Sequence, residues 1–296
     1  MRALVCTAVI GILASLYAFT GAPSPQFPTD QILKIESGQT IASVAAELGA
    51  LGAVRSPFVF ELIVRLTGGV QAGWYDLDVP ESAFVLAWRL QRGETRLKES
   101  TVTIPEGASV RDISLLLGIE LPRSEEGFLF PDTYQFLPGS SKETIVARMR
   151  ARYDEAIEPL RSTILEGAHT ELEIITMASI LEKEARLPET RRLVAGILWK
   201  RLAMGMPLQV DAVFGYIYDT PTFHPTFDDL KIDSPYNTYQ YRGLPPGPIN
   251  NPGLDTIKAA LEPTKSPYLY YLTGKDGTMH YARTFEEHVA NRRFLR

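Results

Sequence analysis

The run Thr176-Met177-Ala178-Ser179-Ile180-Leu181-Glu182-Lys183-Glu184-Ala185 carries an apolar helix straight into a Glu-Lys-Glu triplet. A carboxyl mounted on such a helix is a candidate proton donor, because desolvation disfavours its charged form and raises its pKa. At about 100° per residue, Glu184 shares a helix face with Met177, Ile180 and Leu181, while Glu182 lies with Ile175, Ala178, Ser179 and Arg186. The bulkier stripe carries Glu184, which is therefore expected to suffer the larger desolvation and to be the acid. Glu182 is expected to pair with Arg186, an i,i+4 arrangement worth only a few tenths of a kcal/mol. Periodicity alone leaves open that the triplet is merely the solvated end of an amphipathic helix.

A second segment adds chemistry of a different kind. Ser234-Pro235-Tyr236-Asn237-Thr238-Tyr239 is followed by Gly243-Leu244-Pro245-Pro246-Gly247-Pro248-Ile249. Sugars are bound by flat apolar faces and by amides that both donate and accept. Tyr236 and Tyr239 offer aromatic surface with a polar tip, and Asn237 offers both hydrogen-bond roles. The prolines stiffen the following loop and lower the entropy lost on binding. A rigid loop that only packs over a core has the same composition.

These residues need a scaffold, and the chain has 296 residues, 45% of them hydrophobic, enough for a real core and one or two domains. Residues 3–19 are almost continuously apolar behind Arg2. A spanning helix needs about 17–25 such residues and a signal-peptide core about 7–15, so this is a short membrane anchor or a long signal sequence. The anchor reading is preferred, with the N-terminus inside and the body exported. Ala18, Thr20, Gly21 and Ala22 are small enough for a cleavage site. The expected organisation is an anchor over residues 1–22, a proline-rich tether over 23–30, a small subdomain over 31–100 and a second domain over 101–296.

Two stretches look like copies of one unit. Leu33–Ile41 leads into Val44, Leu48 and Gly49, and Val102–Val110 leads into Ile113, Leu117 and Gly118. Each reads as a strand, a Gly turn, a Thr or Ser cap and a helix with a Gly stop. The unit resembles the start of a LysM module, a βααβ fold that binds N-acetylglucosamine polymers, although a repeated β–α unit is more often simply packing. The first copy continues with helices over residues 57–66 and 83–92 around a strand at 73–77. Helices are expected over 142–165, 172–186, 190–204 and 258–261. A hairpin is expected at 268–272 and 279–282, and a terminal helix over 284–293 with a capping box between Thr284 and Glu287. The fold class is α+β. Glu126-Gly127-Phe128-Leu129-Phe130-Pro131-Asp132-Thr133-Tyr134 is expected either to plug the base of a cleft or to line it.

The net charge of −5 gives no support to nucleic-acid binding. The single cysteine, Cys6, excludes an intrachain disulfide. His169, His224, His280 and His288 lack ligand spacing, so no metal and no cofactor are expected, and His280 and His288 read as structural. No phosphate loop, dinucleotide fingerprint or nucleophile elbow is visible.

Ala178–Glu184, Leu208-Gln209-Val210-Asp211, Ser234–Tyr239, Gly243–Gly253 and Pro267-Tyr268-Leu269-Tyr270-Tyr271 occur in this order. Together they resemble the endolytic murein transglycosylase (YceG-like) family over nearly the whole chain. The resemblance implies a membrane-anchored lyase that cuts the β-1,4 bond between N-acetylmuramic acid and N-acetylglucosamine and leaves 1,6-anhydro ends. It places the acid at the last position of the triplet, Glu184. It implies that Asn237 and Tyr239 hold the muramic sugar or steady its developing charge, with Gln209 a weaker candidate in the same cleft. Val210 and Ala212 stand where relatives often carry Thr and Pro, which puts the role of Gln209 and Asp211 in doubt. The implied partners are peptidoglycan glycan strands, cell-wall synthases and, through the N-terminal helix, the membrane. The competing readings are a non-catalytic peptidoglycan-binding scaffold for those synthases and an ordinary two-carboxylate glycosidase.

Overall fold

The structure is a computed structural model and describes residues 17, 20–185, 187–220 and 224–295. The apolar run at residues 3–19, with Cys6 and Arg2, lies outside the described residues except for Tyr17. So does Arg186. Among the described residues no helix is long and apolar enough to cross a membrane. The chain folds as mixed α+β and divides into two compact units, one reaching to Ser100 with Leu137–Gly139 added, the other holding Thr101–Phe136 and Ser140–Arg296.

In the N-terminal unit, β1 (Ile32–Ile35) pairs antiparallel with β2 (Gly73–Asp76), with Ile32 opposite Asp76 and Ile35 opposite Gly73. Period-2 alternation turns Leu33, Ile35 and Tyr75 inward. Between the strands lie α1 (Ile41–Ala50), capped by Thr40, and α2 (Pro57–Thr67), capped by Ser56 with Pro57 at its first position. After β2 comes α3 (Ala83–Arg92), capped by Ser82. Val44, Leu48, Phe60, Val64, Leu86 and Leu90 fill the core. Arg89, 1% exposed, is tolerated there because its Nε donates to Glu81 at 2.8 Å. The proline-rich segment read as a tether lies on this unit: Pro23 bridges Ser82, Arg55 donates to the Pro23 carbonyl at 2.9 Å, and Phe27 is buried.

β3 (Ser100–Thr103), all but its first residue in the second unit, pairs with β4 (Thr133–Phe136). Between them α4 (Val110–Leu117) is capped by a reciprocal Ser109–Asp112 box and stopped by Gly118 at φ 66°. The single helix expected over 142–165 is broken into α5 (Lys142–Ile157), a 3₁₀ turn at Glu158–Leu160 and α6 (Arg161–Glu166). Pro159 sits at the break, since it lacks the N–H an uninterrupted helix would use.

α7 (Glu171–Glu184) and α8 (Pro188–Ala203) follow, then α9 (Ala212–Ile217) and α10 (Leu254–Leu261). α10 begins four residues earlier than expected, directly after Pro252-Gly253, and packs on both α7 and α8. The hairpin is β5 (Tyr270–Thr273) and β6 (Met279–Ala282), with Tyr271 opposite Tyr281. α11 (Phe285–Asn291) is capped by Thr284, but the box is not reciprocal: the Glu287 carboxylate accepts from Arg283 N–H at 2.7 Å instead. His280 stacks on Phe294 and His288 on Tyr270.

Candidate active site

α7 is unlike an amphipathic surface helix. Thr170 and Glu173 cap it reciprocally, and every residue from Ile174 to Leu181 is buried. The bulky face and the small face distinguished from periodicity are thus both inside the core. Only the last turn emerges, and there the two glutamates part.

Glu182 Oε1 accepts from Arg191 at 2.8 Å, and Oε2 accepts from Gly253 N–H at 2.9 Å and from Thr256 Oγ1 at 2.7 Å. Its side chain is 6% exposed. The expected partner, Arg186, lies outside the described residues, and Arg191 holds the carboxylate. Glu182 is a structural joint between α7, α8 and the start of α10.

Glu184 ends the helix, and Ala185 leaves it in extended conformation. Its half-buried carboxyl lines a cavity of about 250 Å³, whose wall includes Gly107, Arg111, Glu126, Lys183, Asp211 and Tyr216. Burial pushes its pKa up to about 7, opposed by hydrogen bonds from the Tyr271 hydroxyl and Ala212 N–H and reinforced by the charge of Asp211. Its place at the negative end of the α7 dipole acts in the same direction as burial. Tyr271 Oη donates to Glu184 Oε2 at 3.0 Å. A group tuned near 7 is well placed both to give and to take a proton at neutral pH. Replacing Tyr271 by Phe removes a donor that favours the charged form, so the Glu184 pKa rises above its present value of about 7. The expected outcome is a high-pH limb of the activity profile that moves upward in Tyr271→Phe. An unmoved limb would show that the hydroxyl does not tune the acid.

The remaining walls are held by side chains that sequence reasoning passed over. Ser179 Oγ accepts from Ile249 N–H at 3.0 Å and Asn250 Nδ2 donates to Ser179 O at 2.7 Å, which staples the proline loop to α7. Asn251 donates to the Ala108 carbonyl at 2.9 Å and accepts from Leu129 N–H at 2.8 Å. It thereby joins that loop to the turn before α4 and to the 126–130 segment. Gly127, at φ 88°, admits Pro248 where a Cβ would lie 2.4 Å from its ring.

Glu126 lines the cavity while Leu129 and Phe130 behind it are buried, so this segment both lines the cleft and packs beneath it. The Glu126 carboxyl, pushed up to about 8 by burial, accepts from Val110 N–H at 3.0 Å. On the rim, Arg123 grips both Asp219 oxygens, at 2.8 and 2.6 Å, and Arg111 donates to the Asp219 carbonyl.

Of the other residues singled out from sequence, Asn237 is fully buried. Its Nδ2 donates to the Leu230 and Ile232 carbonyls at 3.1 and 2.9 Å, and its Oδ1 accepts from Tyr239 N–H at 3.0 Å. The amide therefore shapes the loop and has no free face for a sugar. Tyr239 Oη donates to Asp211 Oδ1 at 2.6 Å, so it reaches the cavity through that carboxylate. Gln209, at φ 50°, accepts from Arg201 through its Oε1 at 2.8 Å and is not among the residues lining the cavity. Glu126 and Tyr271 stand in segments the sequence picks out, but nothing local assigns either side chain a role beside Glu184. Glu126 precedes a glycine in a loop, and Tyr271 is one of three tyrosines in the strand pattern at 268–272.

An elevated carboxyl at a helix end, held by a tyrosine hydroxyl and lining a cavity with Asp211 and Glu126, has the chemistry of a general acid–base group. The profile of the YceG-like family matches residues 33–293, and the chain belongs to that family. It is 30% identical to the endolytic murein transglycosylase of Bacillus subtilis (strain 168) over 296 residues, 86% of this chain and 82% of the relative. Against the endolytic murein transglycosylase of Streptococcus pneumoniae serotype 2 it is 28% identical over 87% of this chain and 57% of the relative. A crystal structure of a putative YceG-like protein from Listeria monocytogenes superposes with a TM-score of 0.59 at 28% identity, covering 88% of this chain and 98% of that one.

Proposed function

We propose that the chain is an endolytic lytic murein transglycosylase, a lyase, in which Glu184 supplies both proton transfers. The observation that carries the reading is the Glu184 carboxyl, elevated to about 7 by burial and open to a cavity. Protonated, it donates to the glycosidic oxygen leaving with N-acetylglucosamine. The bond from that oxygen to C1 of N-acetylmuramic acid breaks, and the 6-hydroxyl oxygen of the same sugar bonds to C1. The carboxylate takes the hydroxyl proton and is reset. No water is consumed, and the intramolecular nucleophile gains its rate from proximity.

Asp211 raises the Glu184 pKa by its charge, and Tyr239 holds Asp211 in place. Asn237 acts by fixing the loop that carries Tyr239. The enzyme works outside the cytoplasm, anchored through residues 3–19, beside cell-wall synthases that make its substrate. The βααβ order of the N-terminal unit supports a LysM-like grip on glycan.

Digestion of uncrosslinked glycan followed by mass spectrometry tests the reaction. The expected products all end in 1,6-anhydro-muramic acid. Reducing muramic ends would overturn the lyase reading and point to Asp211 as the second carboxyl of a hydrolase.

A further inference from the structure

The N-terminal unit carries an apolar face that its fold leaves uncovered. α2 and α3 bury Phe60, Val64, Leu86 and Leu90 in the shared core. On the opposite side α2 presents Phe58, Leu62 and Leu66, spaced i, i+4, i+8, and α3 presents Phe84, Val85 and Trp88. Phe58 is 75% exposed, Leu66 79% and Trp88 44%. The two helices pack on each other, and Gln91 Nε2 at the end of α3 donates to the Thr67 carbonyl at the end of α2. Two outward apolar stripes on adjoining helices are a surface built to meet something.

The path of the chain says what that is. Pro23 bridges Ser82, the residue before α3, and Arg55 and the buried Phe27 pin the same segment. Phe19, the last residue of the apolar run, is four residues from Pro23, a reach of at most about 14 Å. The described chain thus joins the unit beside Ser82, two residues before Phe84. α2 and α3 together contain one acid, Glu61, which Arg65 binds at 2.7 Å. The Arg92 guanidinium lies 3.9 Å from the Trp88 ring. Aromatic and aliphatic side chains edged by arginine, with no unpaired acid, have the composition of an interfacial surface.

We propose that this face rests in the headgroup region of the bilayer that residues 3–19 enter, so that α2 and α3 lie on the membrane surface. The proposal rests on the anchor reading above, and its test separates the two. The full chain is reconstituted in phosphatidylethanolamine–phosphatidylglycerol vesicles containing a nitroxide-labelled phospholipid. With Cys6→Ser removing the native thiol, an environment-sensitive fluorophore is attached through Leu66→Cys, or through Lys34→Cys on the outer side of the β1–β2 sheet.

The expected result is a blue-shifted, strongly quenched fluorophore at position 66 and an unquenched one at 34. Adding Phe58→Glu and Phe84→Glu should abolish the quenching while the protein still floats with the vesicles. These side chains lie outside the core, and an unchanged urea midpoint would verify that the variant is folded. Flotation without quenching at position 66 would overturn the proposal and leave the anchor standing. Failure to float would overturn both. Quenching replaced by concentration-dependent self-crosslinking through position 66 would assign the face to a second copy of the chain instead.

Discussion

Glu184→Gln is expected to lose at least ~10²-fold in the rate of anhydro-end release, the lower range for removing a general acid–base group. Gln keeps the size of the side chain and can still meet the Tyr271 hydroxyl, 3.0 Å away, so the cavity wall should stay as it is. Folding should not suffer, and its pH dependence gives a second readout. The folded pKa of about 7 lies above the unfolded value. The stability contributed by the protonated carboxyl is then fully present below about pH 4.3 and is lost as pH rises toward 7. Gln carries no such loss. The variant should therefore gain stability over the parent at pH 8 and not at pH 4, as read from urea midpoints. An undiminished rate in Glu184→Gln would leave the cavity without its proton source and would favour the scaffold reading.

Two residues earlier on the same helix the outcome should invert. Glu182→Ala strips a carboxylate from Arg191, whose side chain is only 11% exposed, and leaves that cation without its ion-pair partner. Breaking a buried pair from one side costs about 3–5 kcal/mol. Gly253 N–H and the Thr256 hydroxyl lose their acceptor as well. The expected result is a large fall in the urea midpoint, with the turnover of the molecules that remain folded within a few-fold of the parent. A loss below ~1 kcal/mol would mean that the pair behaves as a solvated surface bridge. The two variants together separate the acid that performs chemistry from the acid that holds α7 against α8 and α10.

Much of the scaffold was legible because it is written locally. The caps at Thr40, Ser82, Ser109 and Thr284 accept from the backbone as their residue types imply. The 142–165 helix was misread because its apolar spacing continues through Pro159, and only the missing N–H breaks it. The ordered motifs named the family, and the periodicity of α7 favoured the same residue as the motif did. Periodicity alone does not separate the two faces, since every residue from Ile174 to Leu181 is buried. Among the described residues Glu182 is held by the Arg191 guanidinium and Glu184 by the Tyr271 hydroxyl, a difference that cannot be seen in a helical wheel.

The sequence by itself determined most of the helices and the C-terminal hairpin, which family the chain belongs to, and that an acid stands at the end of α7, but not the break at Pro159, helix α9 or strand β4. These are short-range properties, fixed by caps, side-chain period and motif order. The tertiary structure decided what each polar side chain does. Asn237 looked like a sugar ligand until its amide was found bonded to the Leu230 and Ile232 carbonyls. Glu126 and Asp211 came to the cavity, and Tyr271 to the Glu184 carboxyl, from segments far apart in the chain. A pKa and a binding face depend on what surrounds a group in space, and contacts across 28 to 143 residues of chain, such as Tyr239 to Asp211 and Asn251 to Ala108, leave no periodic trace in the sequence.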